Sequence, residues 1–85
     1  MKILETSKFQ RLRKKIKGDA ERSSLREAIA QIEGNPAAGK KLKGEFAPLR
    51  SYPYTSQGQA RRLVYKWDKD LIVLFSFGPR EGIYK

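Results

Sequence analysis

The chain has 85 residues, 39% hydrophobic and 33% charged, with no cysteine, no histidine and a formal net charge of +10 at pH 7. Such a chain suits a single globular domain over residues 1–85 with a thin core, and its residue types exclude a disulfide framework and a thiolate or imidazole metal site. They also remove the usual proton shuttle at neutral pH, so acid–base chemistry falls to Lys, Tyr, Asp, Glu or water, and no cofactor is called for.

The charge is the strongest signal. A field of this sign attracts phosphate backbones, anionic lipid or an acidic protein, and its plainest alternative is a solvated basic surface. Nucleic acid is the favoured partner, with an acidic protein as a compatible second. No apolar run approaches the roughly 20 residues of a membrane span. Lys2 and Glu5 bring charge in before an apolar signal block can form. The sequence therefore reads as cytoplasmic, with no membrane partner.

In chain order, Met1 to Glu5 predicts a short strand, and Thr6 or Ser7 can cap the helix after it. In "SKFQRLRKKIKG", Phe9, Leu12 and Ile16 fall at spacings of three and four, an apolar helical stripe among basic residues, with Gly18 as the stop. "SSLREAIAQIEGNP" predicts a second helix. Ser24 and Glu27 form an S-x-x-E capping box, Leu25, Ala28, Ile29 and Ile32 line one face, and Gly34 and Pro36 end it. The two segments read as an antiparallel helical hairpin.

A loop rich in Gly, Pro and Lys comes next, with Leu42 as a core residue. Two extended stretches then flank Gly58, and Pro53 marks the first as an edge strand or as irregular there. Leu63, Tyr65 and Trp67 alternate with Arg62, Val64 and Lys66 and predict a buried strand face. "DKD" at 68–70 is a hairpin turn, and "LIVLFSF" predicts a central strand covered on both faces. The fold class is α+β: two N-terminal antiparallel helices packed on a mostly antiparallel sheet of about four strands.

Chemistry concentrates near the C-terminus. With a turn at 68–70, residues whose numbers sum to about 138 face each other, so Arg62 and Arg80 can reach one end of the sheet. Two guanidiniums there repel unless an anion separates them, and their planar forks suit phosphate oxygens. The bland alternative pairs each with an acid, such as Glu81 or Asp70. Gly78 and Gly82 flank Arg80 and would let backbone approach a ligand, although plain turns use glycine as often. Tyr84 is either surface packing or a phenol that stacks on a base or relays a proton. Lys40 and Lys43 in "GKKLKG" are candidates for phosphate contact, without the spacing of a P-loop. Arg50, Tyr52 and Arg61 belong to a run in which aromatics interleave with cations, as on single-stranded RNA surfaces.

The run "NPAAGKKLKG…ARRLVYKWDKDLIVLFSFGPREGIYK" resembles the RelE/ParE superfamily of toxin–antitoxin toxins. The matching elements are "KLKG" after a helical hairpin, "RLVY" in the middle strand, and a last strand with a glycine, an arginine and "YK" after it. The resemblance implies two N-terminal helices against an antiparallel sheet. In its RelE-like branch it implies cleavage of mRNA in the ribosomal A site, silenced by an acidic antitoxin protein. Ribosome, mRNA and antitoxin would then be the partners, and the enzyme a metal-independent endoribonuclease.

By that resemblance Arg62, Arg80 and Tyr84 are catalytic, with Glu81 as a further candidate base. Relatives carry basic residues in the strand after "KLKG"; here "LRSYPY" puts Ser51 and Pro53 at those positions, with Arg50 as the candidate stand-in. Other branches use a C-terminal histidine, which this chain lacks. The ParE branch shares the fold but inhibits DNA gyrase without cutting RNA. That inhibitor, and a non-toxic basic RNA-binding module, are the two alternatives.

Overall fold

The computed structural model describes residues 1–79. Strand β1 (Lys2–Glu5) leads into helix α1 (Ser7–Lys14) and helix α2 (Asp19–Gly34). A short strand β2 (Lys40–Lys41) lies between two single 3-10 turns, Pro36–Ala38 and Gly44–Phe46. Strands β3 (Arg50–Ser56), β4 (Gln59–Asp68) and β5 (Leu71–Pro79) complete a five-stranded sheet in the order β1-β5-β4-β3-β2. β1 runs parallel to β5, and the other pairs are antiparallel.

Thr6 links the first strand to the first helix. Its hydroxyl accepts the Phe9 amide at 3.1 Å, capping α1, and donates to the Phe75 carbonyl on β5 at 3.2 Å. The start of α2 differs from the S-x-x-E expectation. The helix begins at Asp19 with Gly18 as its N-cap, so Gly18 starts the second helix rather than ending the first. Asp19 and Glu21 place negative charge in the first turn, where the helix dipole favours it. Ser24 lies inside the helix and donates back to the Ala20 carbonyl at 2.9 Å.

Phe9, Ile16, Leu25, Ala28 and Ile32 from the helical layer bury against Leu63, Tyr65, Ile72, Leu74 and Phe77 of β4 and β5. The Phe9 and Phe77 rings meet edge to face with centroids 5.2 Å apart. The helices therefore cover one face of the sheet. Val64 is also buried but stands outside this cluster, because the pleat turns it to the other face. The expectation that β5 is covered on both sides is corrected accordingly: Leu71, Val73 and Phe75 alternate with the buried residues and are only half-buried.

Two residues expected in the core lie elsewhere. Leu42 is half-buried in the loop after β2. Trp67 is 37% exposed; its indole N–H donates to the Lys69 carbonyl at 2.9 Å, and the Arg50 guanidinium lies 5.4 Å from its ring centroid. Pro53 behaves as expected of an edge residue. β2 pairs only with Arg50 and Ser51, so the rest of β3 forms the sheet margin.

Candidate active site

The pleat of β3 and β4 decides which basic residues share a face. Arg50 pairs with Tyr65, Tyr52 with Leu63, and Tyr54 with Arg61, so these side chains stand on the helix-covered side. Ser51 pairs with Val64, and Pro53 with Arg62, on the open side. Lys40 pairs with Ser51 and joins them there. On the other flank Val64 pairs with Ser76 and Arg62 with Gly78. Ser51, Val64 and Ser76 thus form a buried row of short side chains across three strands, with Arg62 on the adjacent row.

Two small offsets set Arg62 opposite Gly78 rather than position 76. The turn pairs Asp68 with Leu71, which moves the register by one residue. A register shift between Val64 and Tyr65 leaves an extra β5 residue unpaired and moves it by another. Gly78 sits at φ +155, in backbone space that side chains rarely adopt, and a Cβ built there meets nothing within 4 Å. Opposite the guanidinium the chain therefore presents bare backbone. Arg80, Glu81 and Tyr84 lie outside the described residues.

Arg62 is half-buried, and its Nη1 donates to the Ser51 hydroxyl at 3.2 Å. Among the described residues no carboxylate pairs with it. A neutral acceptor holds it in place, and no described carboxylate compensates its charge. Lys40 is exposed at the neighbouring strand, and Lys43 is exposed just after β2, ahead of the Gly44–Phe46 turn. By strand pairing this side of the sheet carries the fixed Arg62 guanidinium and, two strands away beside Ser51, the exposed Lys40.

The remaining basic and aromatic candidates are engaged elsewhere. Arg61 forms an ion pair with Glu21 of α2 at 2.9 Å. Arg50 donates to the Gly39 carbonyl at 2.8 Å and stacks on Trp67, so it cannot stand in for a base beside Arg62. Tyr52 packs against the core and lines a polar cleft of about 300 Å³ with Ser24, Glu27, Gln31 and Tyr54.

Two phenols on the helix side are unsuited to proton transfer at neutral pH. Burial pushes Tyr54 up to about 12, with Arg61 opposing and Glu21 reinforcing the shift. Burial also raises Tyr65, against the opposing effects of the Gly39 amide and Arg50. Tyr65 is structural: its hydroxyl donates to the Pro36 carbonyl at 2.6 Å and accepts the Gly39 amide at 2.9 Å. A Cβ at Gly39 would come within 2.5 Å of that hydroxyl, so glycine is required for the approach. This latch holds the segment that delivers Lys40 to the sheet.

Among the described residues no group of three or more His, Cys, Asp or Glu could hold a metal ion. None of their helices is long and apolar enough to cross a membrane. Reading along the chain misses Ser51 as a working residue and values it only for the lysine it replaces. Strand alternation could have found it, since pairing Pro53 with Arg62 places Ser51 on the same face one row away.

A family model described as a ParE-like toxin of type II bacterial toxin–antitoxin systems matches residues 3–85. No curated protein matches the chain significantly in sequence. Among solved structures, the intact Escherichia coli RelBE toxin–antitoxin complex contains a chain that superposes with a TM-score of 0.73 at 20% identity, covering 94% of this chain and 96% of that one. The isolated E. coli RelE toxin gives 0.72 at 20% identity, over 94% of this chain and 84% of that one. A copper-bound mutant toxin from Helicobacter pylori gives 0.63 at 20% identity, over 94% of each chain.

Proposed function

The chain belongs to the ParE-like toxins of type II bacterial toxin–antitoxin systems, and from that membership we propose that it is a ribosome-dependent mRNA endoribonuclease that arrests translation in the cytoplasm. The observation that carries this reading is Arg62: a half-buried guanidinium on the helix-free face, hydrogen-bonded to a neutral hydroxyl and opposite a glycine two residues before Arg80. That is the environment of a cation reserved for a phosphate.

RNA supplies its own nucleophile. The 2′-hydroxyl attacks the adjacent phosphorus and gives up its proton, the bond to the 5′-oxygen breaks, and that oxygen takes a proton. Arg62 and Arg80 hold the nonbridging oxygens as charge builds on them. Glu81 or Tyr84 receives the proton from the 2′-hydroxyl, and Lys40 or Lys43 donates to or steadies the leaving oxygen. The ribosome orients the mRNA, so a modest set of acid–base groups suffices. The silencing partner is an acidic antitoxin protein, by analogy with the RelBE toxin–antitoxin complex.

A second reading has its own support. Ser51 and Pro53, both neutral, occupy the β3 positions beside Arg62. A site without strong bases there suits a toxin that binds and blocks a protein, as gyrase inhibitors of this superfamily do. Incubation with translating ribosomes and mapping of mRNA 5′ ends separates the two. The nuclease reading expects new ends that vanish with Arg80→Ala in a folded protein. Growth arrest with intact mRNA would replace it with the inhibitor.

A further inference from the structure

Ser51 is fully buried, yet its hydroxyl accepts a hydrogen bond from the Arg62 guanidinium. We infer that Ser51 is the positioning residue of this anion site, aiming Arg62 from beneath while leaving its charge intact for a phosphodiester. The inference rests on the reading of Arg62 as a phosphate ligand and deepens it.

The choice of a hydroxyl has a physical consequence. A guanidinium carries five N–H donors in a rigid fork, so fixing one nitrogen restricts the plane of all of them. A carboxylate in the same place would hold the fork more tightly but cancel its charge. A lysine would leave it without an acceptor and add repulsion at hydrogen-bond distance. Serine supplies an acceptor with no net charge. The surroundings keep the aim: β3 and β4 pair continuously from Arg50↔Tyr65 to Ser56↔Gln59, so Ser51 and Arg62 are fixed relative to each other by the ladder. None of the Arg62 nitrogens is among the described buried atoms left without a partner, so holding the side chain against Ser51 strands no donor inside the fold. Neighbouring Arg61 does have a buried, unpaired Nε, as expected of a side chain used for packing.

The test uses the full chain and a non-cleavable probe, a 2′-deoxy dinucleoside monophosphate, read through the arginine Nε–H signals by 15N NMR. In the wild-type protein the Arg62 signal should shift saturably. Ser51→Ala should weaken binding about 3- to 10-fold, the effect of one hydrogen bond to a charged group. Ser51→Thr, which keeps the hydroxyl, should restore it, whereas a purely structural role would be disturbed more by the larger side chain. Thermal melts confirm that each variant folds.

An unshifted Arg62 signal in the wild type, an Ala variant that binds as well as wild type, or a folded Thr variant that fails to restore binding would each overturn the inference. Cleavage on ribosomes is scored separately. A protein that binds the probe through Ser51-aimed Arg62 but cuts no mRNA sinks the nuclease and keeps the positioning role. One that cuts mRNA and binds probe equally well with Ser51→Ala keeps the nuclease and removes that role.

Discussion

Arg61 and Arg62 are consecutive on β4, and the strand pleat sends them to opposite sides of the sheet. Arg61 turns under the helices, where Glu21 neutralises it and its Nε is buried without a partner. Arg62 turns to the open side, where a serine hydroxyl positions it and no described carboxylate answers it. The same residue type is paired with a carboxylate in one case and with a neutral hydroxyl in the other. Basic residues therefore cannot be counted as one surface in this protein. On β4, the helix-side cation fastens helix to sheet, and the cation on the other face meets a hydroxyl and no described carboxylate.

If the two faces divide in this way, substitutions on the helix side should cost stability and those on the open side should cost activity. Leu63 is fully buried under the helices, so Leu63→Ala should lower the unfolding free energy by about 3 kcal/mol in urea titrations. A loss under about 1 kcal/mol would mean that the helical layer does not seal this face. Arg62→Ala should reduce ribosome-dependent cleavage by about 100-fold, as removal of one preorganised donor to a developing oxyanion does. Its melting temperature should stay close to wild type, and a large drop would place Arg62 among the structural residues.

Tyr65→Phe should cost about 2 kcal/mol, because the Pro36 carbonyl and the Gly39 amide both lose their partner. Activity should fall with it if the latch also places Lys40. Arg61→Ala should cost about 1 kcal/mol and leave cleavage unchanged, since its half-buried ion pair is worth little more. Reduced cleavage in a stable Arg61→Ala protein would blur the division between faces.

The smallest effect is one of pH. Tyr54 ionises near 10 when unfolded and at about 12 in the fold. The unfolded chain then releases its proton first, so the stabilisation is complete below about pH 10 and is lost as pH rises towards 12. Unfolding titrations across that window should show stability falling, and less steeply in Tyr54→Phe. Tyr65, raised in the same direction, supplies the residual slope.

Much of the architecture is legible in local pattern. Helical spacing alone selects Phe9, Leu12, Ile16, Leu25, Ala28, Ile29 and Ile32; all are buried except Leu12 and Ile29, which are half-buried against the core. The turn at 68–70 and the edge character of Pro53 come from turn chemistry and the missing amide. The site is less legible. Local pattern singles out Arg62, but it gives Arg50 and Arg61 similar roles, and both stand on the opposite face, engaged by Gly39 and Glu21 respectively. Composition marks a residue as basic without saying which way a strand turns it. Trp67 shows the converse: alternation puts it with Tyr65, yet it stands exposed where the Arg50 guanidinium covers it.

By itself the sequence determined the fold class, the identity of the buried stripes and the surplus of positive charge, because spacing and composition are properties of neighbouring residues. Tertiary structure alone decided that β1 lies parallel to β5, that an irregular step helps set Arg62 opposite Gly78, and that Ser51 rather than an acid lies beneath the guanidinium. Those facts depend on pairings between separate strands, and a shift of one residue in such a pairing exchanges the buried and exposed sides of a strand.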